Sequence, residues 1–269
     1  GVLIRKTGGL SNVAISNRNG ASPSLTHCRL VAEGNFATGA SNEFGSPRFK
    51  DVVIEANGDA VGIQNSSATP ELIDVEIHVV GGGMGEAYGI YNNNGHPTLR
   101  SCTINVSEET GASIPEAYGI YGTSSSGQTI VDSEIAVENA NLNTAIFVRG
   151  SDVEISNSLL FVTGGNPEGI HAENLSLTKS NVDMTSTSID IDMGGMLSSA
   201  CHAIYTNGAD VWIEHSSFRN SDLVNCSQGV AVRIDNATDR SFVAHTFMIG
   251  SYYSVPGVSE TCLALTEWL

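Results

Sequence analysis

The chain has 269 residues and is strongly acidic, with 29 aspartate and glutamate residues against 12 lysine and arginine residues. Its formal net charge of −17 repels the phosphates of nucleic acids and anionic membrane surfaces, so we expect neither as a partner. No apolar run reaches the length of about 18 residues that a membrane-spanning helix needs, so membrane insertion is not expected. Only 6% of residues are aromatic, but the apolar residues recur regularly enough to build a core, which excludes a disordered chain.

A unit of 23 to 34 residues repeats nine times along the chain. Its clearest copies begin at Gly62, Gly89 and Gly119, with the sequences GIQNSS, GIYNNN and GIYGTS. Each copy starts with a small residue followed by an apolar residue, and we predict that this pair forms the first strand of the unit. The apolar residues of the nine pairs are Ile15, Ala40, Ile63, Ile90, Ile120, Ile146, Ile170, Ile204 and Val230.

The second half of each unit has an apolar residue after a polar turn and then alternating inward positions. This period of two indicates β-strands. The apolar residues after the turn are Leu25, Phe49, Leu72, Leu99, Ile130, Ile155, Leu177, Ile213 and Phe242. The inward triplets that follow run from Cys28-Leu30-Ala32 in the first unit to Ser180-Val182-Met184 in the seventh and His245-Phe247-Ile249 in the ninth.

These patterns predict an all-β fold, a single right-handed parallel β-helix of about nine coils with three short strands in each coil. No strand can bury its apolar face alone, whereas coils stacked about 4.8 Å apart place like residues over like. A β-sandwich gives no reason for one pattern to repeat nine times in phase, and a left-handed β-helix has a shorter, stricter repeat. We expect an N-terminal edge at residues 1–11, coils at 12–249 and a C-terminal cap at 250–269.

One turn position carries asparagine in four successive coils, at residues 17, 42, 65 and 92. Stacked side-chain amides can hydrogen-bond to each other and satisfy the backbone of the turn. We therefore predict a structural asparagine ladder formed by Asn17, Asn42, Asn65 and Asn92.

The five cysteines do not form a disulfide framework in a chain of this length. Cys28 and Cys102 share an inward position three coils apart, too far for a disulfide, and are expected to fill the core. Cys201 and Cys226 precede the first strands of adjacent coils and can pair, which would indicate an oxidising compartment.

The coils resemble those of the right-handed parallel β-helix superfamily, which includes pectate lyases, polygalacturonases and phage tailspikes, and in particular repeat proteins with GIYNNN-type coils. The resemblance extends from about Asn12 to Ile249 and is carried by core and turn residues, which say little about activity. It implies that a ligand lies along the outer face of the first strand.

Five neighbouring coils are expected to carry a ring on this outer face: Tyr91, Tyr121, Phe147, His171 and Tyr205. The small residue before each isoleucine is assigned the same outward direction, so the strand beside the rings is expected to be nearly bare. One hypothesis is a carbohydrate-binding track in which the ring faces stack on sugar rings. The alternative is a ladder of rings that stabilise one another without a ligand.

One acidic residue recurs four positions before the isoleucine in three successive coils, as Asp59, Glu86 and Glu116. Like charges at that spacing are unfavourable unless a cation bridges them, so Ca²⁺ is a candidate ligand, and no other cofactor is indicated. Because no recognisable calcium-binding repeat is present, solvated side chains that point apart are the alternative interpretation.

Other acidic and histidine groups are weaker candidates. The segment 185–200 is predicted to be an insertion in which Asp190 and Asp192 share one face near Asp183, as metal or acid–base chemistry would require. His171 and His202 fall near the same face of neighbouring coils but lack the spacing of metal ligands on one strand.

A lyase would need a basic residue beside acidic ligands on the first-strand face. Arg149 and Arg233 are the only basic residues predicted close to the rings, and no acidic cluster is expected beside them. The sequence thus gives no catalytic motif.

Three functions fit the sequence. The first is a non-catalytic extracellular, cell-surface or virion module that binds a polysaccharide or other glycan along the rings. The second is a polysaccharide lyase or glycoside hydrolase that acts on the same face. The third is a structural spacer that forms a homotrimer through one flat face.

Overall fold

A computed structural model describes residues 1–82, 85–108, 116–124, 126–175, 178–193, 201–220, 229–235, 241–244, 246–249 and 251–254. All regular elements in these ranges are strands, and none is a helix that could cross a membrane. In chain order the strands are β1 (Val2–Thr7), β2 (Asn12–Asn17), β3 (Ser24–Thr26), β4 (Cys28–Glu43), β5 (Arg48–Ser66), β6 (Glu71–Gly81), β7 (Glu86–Asn93), β8 (Thr98–Arg100), β9 (Thr103–Glu108), β10 (Glu116–Thr123), β11 (Gly127–Val131), β12 (Glu134–Glu138), β13 (Leu142–Arg149), β14 (Asp152–Ser156), β15 (Leu159–Thr163), β16 (Pro167–Glu173), β17 (Asn181–Thr185), β18 (Ser188–Asp192), β19 (Cys201–Asn207), β20 (Asp210–Glu214), β21 (Ser217–Asn220), β22 (Gly229–Asp235), β23 (Phe242–Ala244), β24 (Phe247–Ile249) and β25 (Ser251–Ser254).

The strands pair in parallel and form a right-handed β-helix of about nine coils, as the repeat predicts. Each coil adds one strand to each of three ladders, which we call the first, second and third ladders. The first ladder contains β2, β4, β5, β7, β10, β13, β16, β19, β22 and β25. The second contains β3, β5, β6, β8, β11, β14, β17, β20 and β23, and the third contains β1, β4, β5, β6, β9, β12, β15, β18, β21 and β24.

Isoleucines of successive coils stack in one buried column at the centre of the first ladder. Ile63, Ile90, Ile120 and Ile146 pair in register from coil to coil, and each is 0% exposed. The same column continues through Ile170 and Ile204. The predicted continuous core is therefore confirmed along most of the rod.

The predicted register is wrong in the seventh coil. Its third strand is β18, whose Ile189 and Ile191 are fully buried, so residues 188–192 are a regular strand and not part of an insertion. Val182 and Met184 belong to the second strand, where Met184 takes the position predicted for Leu177, a residue outside the described ranges. The strands are displaced because more residues separate β16 from β17 than separate β13 from β14. Two segments there alternate equally regularly between apolar and polar residues, so spacing alone could not show which of them is the third strand.

The register is also wrong in the last coil. Val232 pairs with Ile204, whereas the predicted Val230 pairs with His202. Val243 pairs with Ile213 in place of Phe242, and Met248 pairs with Phe218 where Phe247 was expected. The predicted inward residue His245 lies outside the described residues.

Both ends of the stack contain paired strands. In the predicted N-terminal edge, β1 already belongs to the third ladder, because it pairs with residues 28–33 of β4. In the predicted C-terminal cap, β25 extends the first ladder beyond β22. Residues 255–269 lie outside the described ranges.

The asparagine ladder is confirmed. Each side-chain amide donates to the side-chain oxygen of the next coil, from Asn17 to Asn42 (2.7 Å), from Asn42 to Asn65 (2.9 Å) and from Asn65 to Asn92 (2.7 Å). The next coil has Gly122 at this position, and the buried amide of Gln128 occupies the space where a side chain would be. These hydrogen bonds satisfy buried amide groups, which would be costly to leave unpaired.

Within the described ranges, the cysteines are free or disulfide-bonded as the sequence predicts. Cys28 and Cys102 are free, and burial raises the pKa of the Cys102 thiol to about 11, as expected for an unreactive core residue. Cys201 is disulfide-bonded. Its predicted partner Cys226 and the fifth cysteine, Cys262, lie outside the described residues.

Candidate ligand-binding face

The outer face of the first ladder carries two rows of side chains, because the small residue before each isoleucine points inward. A Cβ atom at Gly89 would lie 2.4 Å from Cγ2 of the core residue Ile104. The prediction that the strand beside the rings is bare is therefore wrong. The outward position is one residue earlier and is filled, in register, by Tyr88, Tyr118, Thr144, Glu168 and His202.

The five predicted rings form a continuous row, which we call the outer ring row. Tyr91, Tyr121, Phe147, His171 and Tyr205 pair in register. Successive ring centroids are 5.4, 4.8, 4.9 and 4.8 Å apart, and the first three rings are parallel to within 9°. These rings cover one another's faces and turn their edges outward, so the geometry does not favour sugar stacking on ring faces.

A second pair of tyrosines lies beside this row and is tied to carboxylates. The Tyr88 and Tyr118 rings stack 5.4 Å apart and meet the outer ring row edge-on. The Tyr88 hydroxyl donates to Glu86, and the Tyr118 hydroxyl donates to Glu116 at 2.7 Å. Burial, and then these carboxylates, raise the pKa of both phenols, which therefore remain protonated.

The tyrosines of the outer ring row differ from this pair. The hydroxyls of Tyr91, Tyr121 and Tyr205 have no hydrogen-bond partner among the residues that the structure describes, and all three side chains are partly exposed. Burial raises the pKa of Tyr121 and Tyr205, so these phenols are protonated at neutral pH. The row therefore offers phenolic groups that can both donate and accept hydrogen bonds.

Two carboxylates and a guanidinium surround His171. Nδ1 of His171 lies 2.6 Å from Oε2 of Glu168, and Nε2 lies 3.1 Å from Oε1 of Glu173. Arg149 donates from Nε to Oε2 of Glu173 at 2.9 Å, and its Nη2 lies 2.7 Å from the same oxygen. Glu168 is only 8% exposed, so a protonated His171 is its natural counter-charge.

The protonation of His171 should make the stability of the fold depend on pH. Burial lowers its pKa, but hydrogen bonds and charges from Glu168 and Glu173 outweigh burial and raise it overall. A histidine with a raised pKa stabilises the fold fully below its unfolded pKa of about 6.5, and this contribution is lost as pH rises through the folded pKa. The difference in unfolding free energy between wild type and His171→Gln should therefore be greatest in acid and shrink toward alkaline pH.

Urea denaturation between about pH 5 and pH 9 measures this difference. His96→Gln, which changes an exposed histidine in the turn before β8, is the matched control and is measured over the same pH range. A His171→Gln difference that stays constant across this range would contradict the assignment.

A second guanidinium on this face is also paired with a carboxylate. Arg233 lies 2.9 and 3.1 Å from Oδ2 of Asp235 and sits over the Tyr205 ring, 5.3 Å from its centroid. Arg149 stands similarly over Phe147, at 5.5 Å. Each arginine thus has a carboxylate partner, which the sequence did not predict; the expectation was only that no acidic cluster lies beside them.

Sequence reasoning missed these carboxylates for different reasons. Glu173 follows His171 by two positions, and Asp235 follows Arg233 by two. Period-two alternation could therefore have placed both carboxylates on the outward side. Glu168 could not be found in this way, because the inward glycine between it and His171 interrupts the alternation.

The predicted calcium ligands do not form one cluster. Glu86 and Glu116 are in register, but each accepts a tyrosine hydroxyl. Asp59 is in the preceding coil, and its Oδ1 is buried without a partner in the described part of the chain. Within that part, no group of three or more His, Cys, Asp or Glu residues is arranged to hold a metal ion. Calcium binding remains a prediction without support from this geometry.

The other acidic candidates do not converge. Asp190 and Asp192 lie on β18 in the third ladder, whereas Asp183 lies on β17 in the second ladder. Burial raises the pKa of Asp190, Arg219 of the next coil opposes this shift, and Asp192 adds to it. His202 pairs in register with Glu168 and lies on the same face as His171, as predicted.

Comparisons of the chain with protein-family models, with curated proteins and with solved structures find no match. The function of this face must therefore be inferred from its geometry.

Proposed function

We propose that the outer face of the first ladder binds an extended carbohydrate polymer without cleaving it. The observation that carries this proposal is the line of phenolic hydroxyls of Tyr91, Tyr121 and Tyr205, which lack partners among the described residues. Hydroxyl-rich polymers are suited to a row of groups that both donate and accept hydrogen bonds.

The ring stack holds these hydroxyls in fixed positions. Tyr121 is packed between Tyr91 and Phe147, with ring centroids 5.4 and 4.8 Å away, and Tyr118 supports it edge-on at 5.2 Å. Such packing removes most of the side-chain freedom that ligand binding would otherwise restrict. The stacked rings therefore support the proposal by orienting polar groups, whereas the sequence suggested that their faces bind sugars.

Two further observations support an extracellular, cell-surface or virion setting. The coils resemble those of pectate lyases, polygalacturonases and phage tailspikes, which supports both a polymeric ligand on this face and this setting. The disulfide at Cys201 is typical of proteins that fold in an oxidising compartment.

Deleting a single hydroxyl tests the proposal. Tyr121→Phe removes a phenolic oxygen and keeps the ring stack, so it should weaken polysaccharide binding about fivefold, the effect of losing one hydrogen bond of about 1 kcal/mol. Tyr118→Phe makes the same chemical change at a hydroxyl already tied to Glu116 and should leave affinity unchanged. Affinities come from a glycan array followed by calorimetry on the best polymer.

The triple variant Tyr91→Phe, Tyr121→Phe and Tyr205→Phe tests all three hydroxyls together. It should abolish measurable binding while unfolding at nearly the same urea concentration as wild type. Absence of binding by wild type to every polysaccharide, or equal binding by the triple variant, would sink the proposal.

A second candidate is cleavage of the same polymer. It is favoured by the convergence of Glu168 and Glu173 on His171, since paired carboxylates and a histidine are common acid–base groups. Non-catalytic binding remains the better-supported function, because Arg149 and His171 already occupy both oxygens of Glu173. Release of reducing ends or unsaturated products by wild type, and its loss in His171→Gln, would favour the enzyme.

A further inference from the structure

We infer that this face selects uncharged polymers and rejects acidic ones, because its two arginines are already neutralised by carboxylates of the same chain. The inference rests on the proposed carbohydrate binding and adds the chemical class of the ligand. It assigns Glu173 and Asp235 as the residues that determine this specificity.

Glu173 contacts Arg149 through the same guanidinium groups that would bind the carboxylate of an acidic ligand. Its Nε and Nη2 groups both lie within 2.9 Å of Oε2 of Glu173. The other oxygen of Glu173 contacts His171, so the carboxylate is held from two sides. An incoming carboxylate would have to displace Glu173 and leave a negative charge without its partners.

Arg233 repeats this arrangement three coils away. Its Nε and Nη2 groups lie 3.1 and 2.9 Å from Oδ2 of Asp235, whose side chain is only 14% exposed. Both guanidinium groups stand over rings of the outer ring row, Arg149 over Phe147 and Arg233 over Tyr205. An intramolecular carboxylate thus neutralises each arginine where it meets the proposed ligand track.

The remaining charges on this face disfavour an anionic ligand. His171 contacts two carboxylates, Glu168 and Glu173, so its positive charge is also balanced. Among the described residues of this face between Val61 and Asp235, Arg149 and Arg233 are the arginines and no lysine occurs. Of the carboxylates on this face, Glu168, Glu173 and Asp235 each pair with a cation, whereas Asp59, Glu86 and Glu116 form no ion pair with a described residue. A polymer of acidic sugars would therefore meet uncompensated negative charge in the coils of Asp59, Glu86 and Glu116, and the chain's net charge of −17 would add to the repulsion.

A matched pair of polymers separates ligand charge from ligand shape. Polygalacturonate and its fully methyl-esterified form share one backbone and differ in the charge on each sugar. We expect wild type to bind the ester at least about tenfold more tightly than the acid at low ionic strength, with a difference that shrinks as salt is added.

Freeing either arginine should reduce this preference. Glu173→Gln and Asp235→Asn each remove one neutralising charge and should strengthen binding of the acidic polymer about fivefold, with a smaller effect on the ester. Glu154→Gln, on the exposed side of β14 in the second ladder, changes the net charge equally and should leave the preference unaltered. Unfolding midpoints of all variants show whether each is folded.

The outcomes separate this inference from the function on which it rests. Binding of the acidic polymer by wild type as tightly as the ester would overturn the inference and leave carbohydrate binding intact. The same would follow if Glu173→Gln and Asp235→Asn behaved like Glu154→Gln. Failure of wild type to bind the ester or any other polysaccharide would overturn both.

Discussion

Replacing Gly89 with alanine should destabilise the β-helix by about 3 kcal/mol, a large loss for one methyl group in a packed interior. Its Cβ atom would lie 2.4 Å from Cγ2 of Ile104 and 2.4 Å from the carbonyl oxygen of Gly119 in the next coil. Real atoms do not approach so closely, so the coil would have to shift. Urea denaturation followed by circular dichroism measures the loss.

The sequence itself contains the compensating change. Glycine occupies this position in every described coil whose third-strand partner is isoleucine: Gly39 with Ile54, Gly62 with Ile77, Gly89 with Ile104, Gly119 with Ile135 and Gly169 with Ile189. Alanine occupies it where the partner is unbranched at Cβ: Ala14 with Leu30, Ala145 with Leu160 and Ala203 with Phe218. The Cγ2 methyl group of isoleucine explains this correlation, because it fills the space that an alanine Cβ needs.

A double-mutant cycle tests this explanation. Ile104→Leu should restore at least about 1 kcal/mol to Gly89→Ala, although in the wild-type background it should itself be mildly destabilising. Additive effects of the two substitutions would show that Cγ2 is not the cause and that the clash with the Gly119 carbonyl alone determines the loss.

Replacing Asn65 with leucine should cost about 3 kcal/mol as well. The substitution keeps the number and branching of side-chain heavy atoms but leaves Nδ2 of Asn42 and Oδ1 of Asn92 buried without partners, and each unsatisfied group costs about 1–3 kcal/mol. Asn17→Leu, at the end of the ladder, removes one hydrogen bond and should cost about half as much.

Denaturation of both variants and of wild type in urea gives these values. Equal losses for Asn65→Leu and Asn17→Leu would mean that the ladder does not act as a chain of mutually dependent amides. Water would then satisfy the interior groups as well as it satisfies the terminal one.

The architecture could be predicted from the sequence because the same pattern of apolar and polar residues recurs from coil to coil. Two features follow from residues that recur at one position in successive coils: the column through Ile63, Ile90, Ile120 and Ile146, and the asparagine ladder. Each copy confirms the alignment of the others. Before Asn181 the connection between strands is longer than in the preceding coil. Two segments after it, β17 and β18, alternate regularly between apolar and polar residues, and the sequence predicted the wrong one as the third strand.

The candidate site was harder to predict, because one backbone detail decides which side chains face outward. In each coil both the small residue and the isoleucine after it point inward, as at Gly89 and Ile90, so strict alternation fails at that point. The ring positions were correct because they follow the isoleucine. Tyr88 and Glu168, which precede the glycine, were therefore missed. Pairing of Arg149 with Glu173 depends on side-chain reach, which residue spacing does not determine.

The in-register outer ring row has a consequence for how such a protein changes length. Its members belong to successive coils, so the interval between them is set by backbone hydrogen bonds and is independent of neighbouring side chains. Duplicating one whole coil would add one more contact for a long chain molecule without disturbing those already present. Under the proposed function, the number of coils would therefore set how many units of a polymer are bound, and each individual contact would stay unchanged.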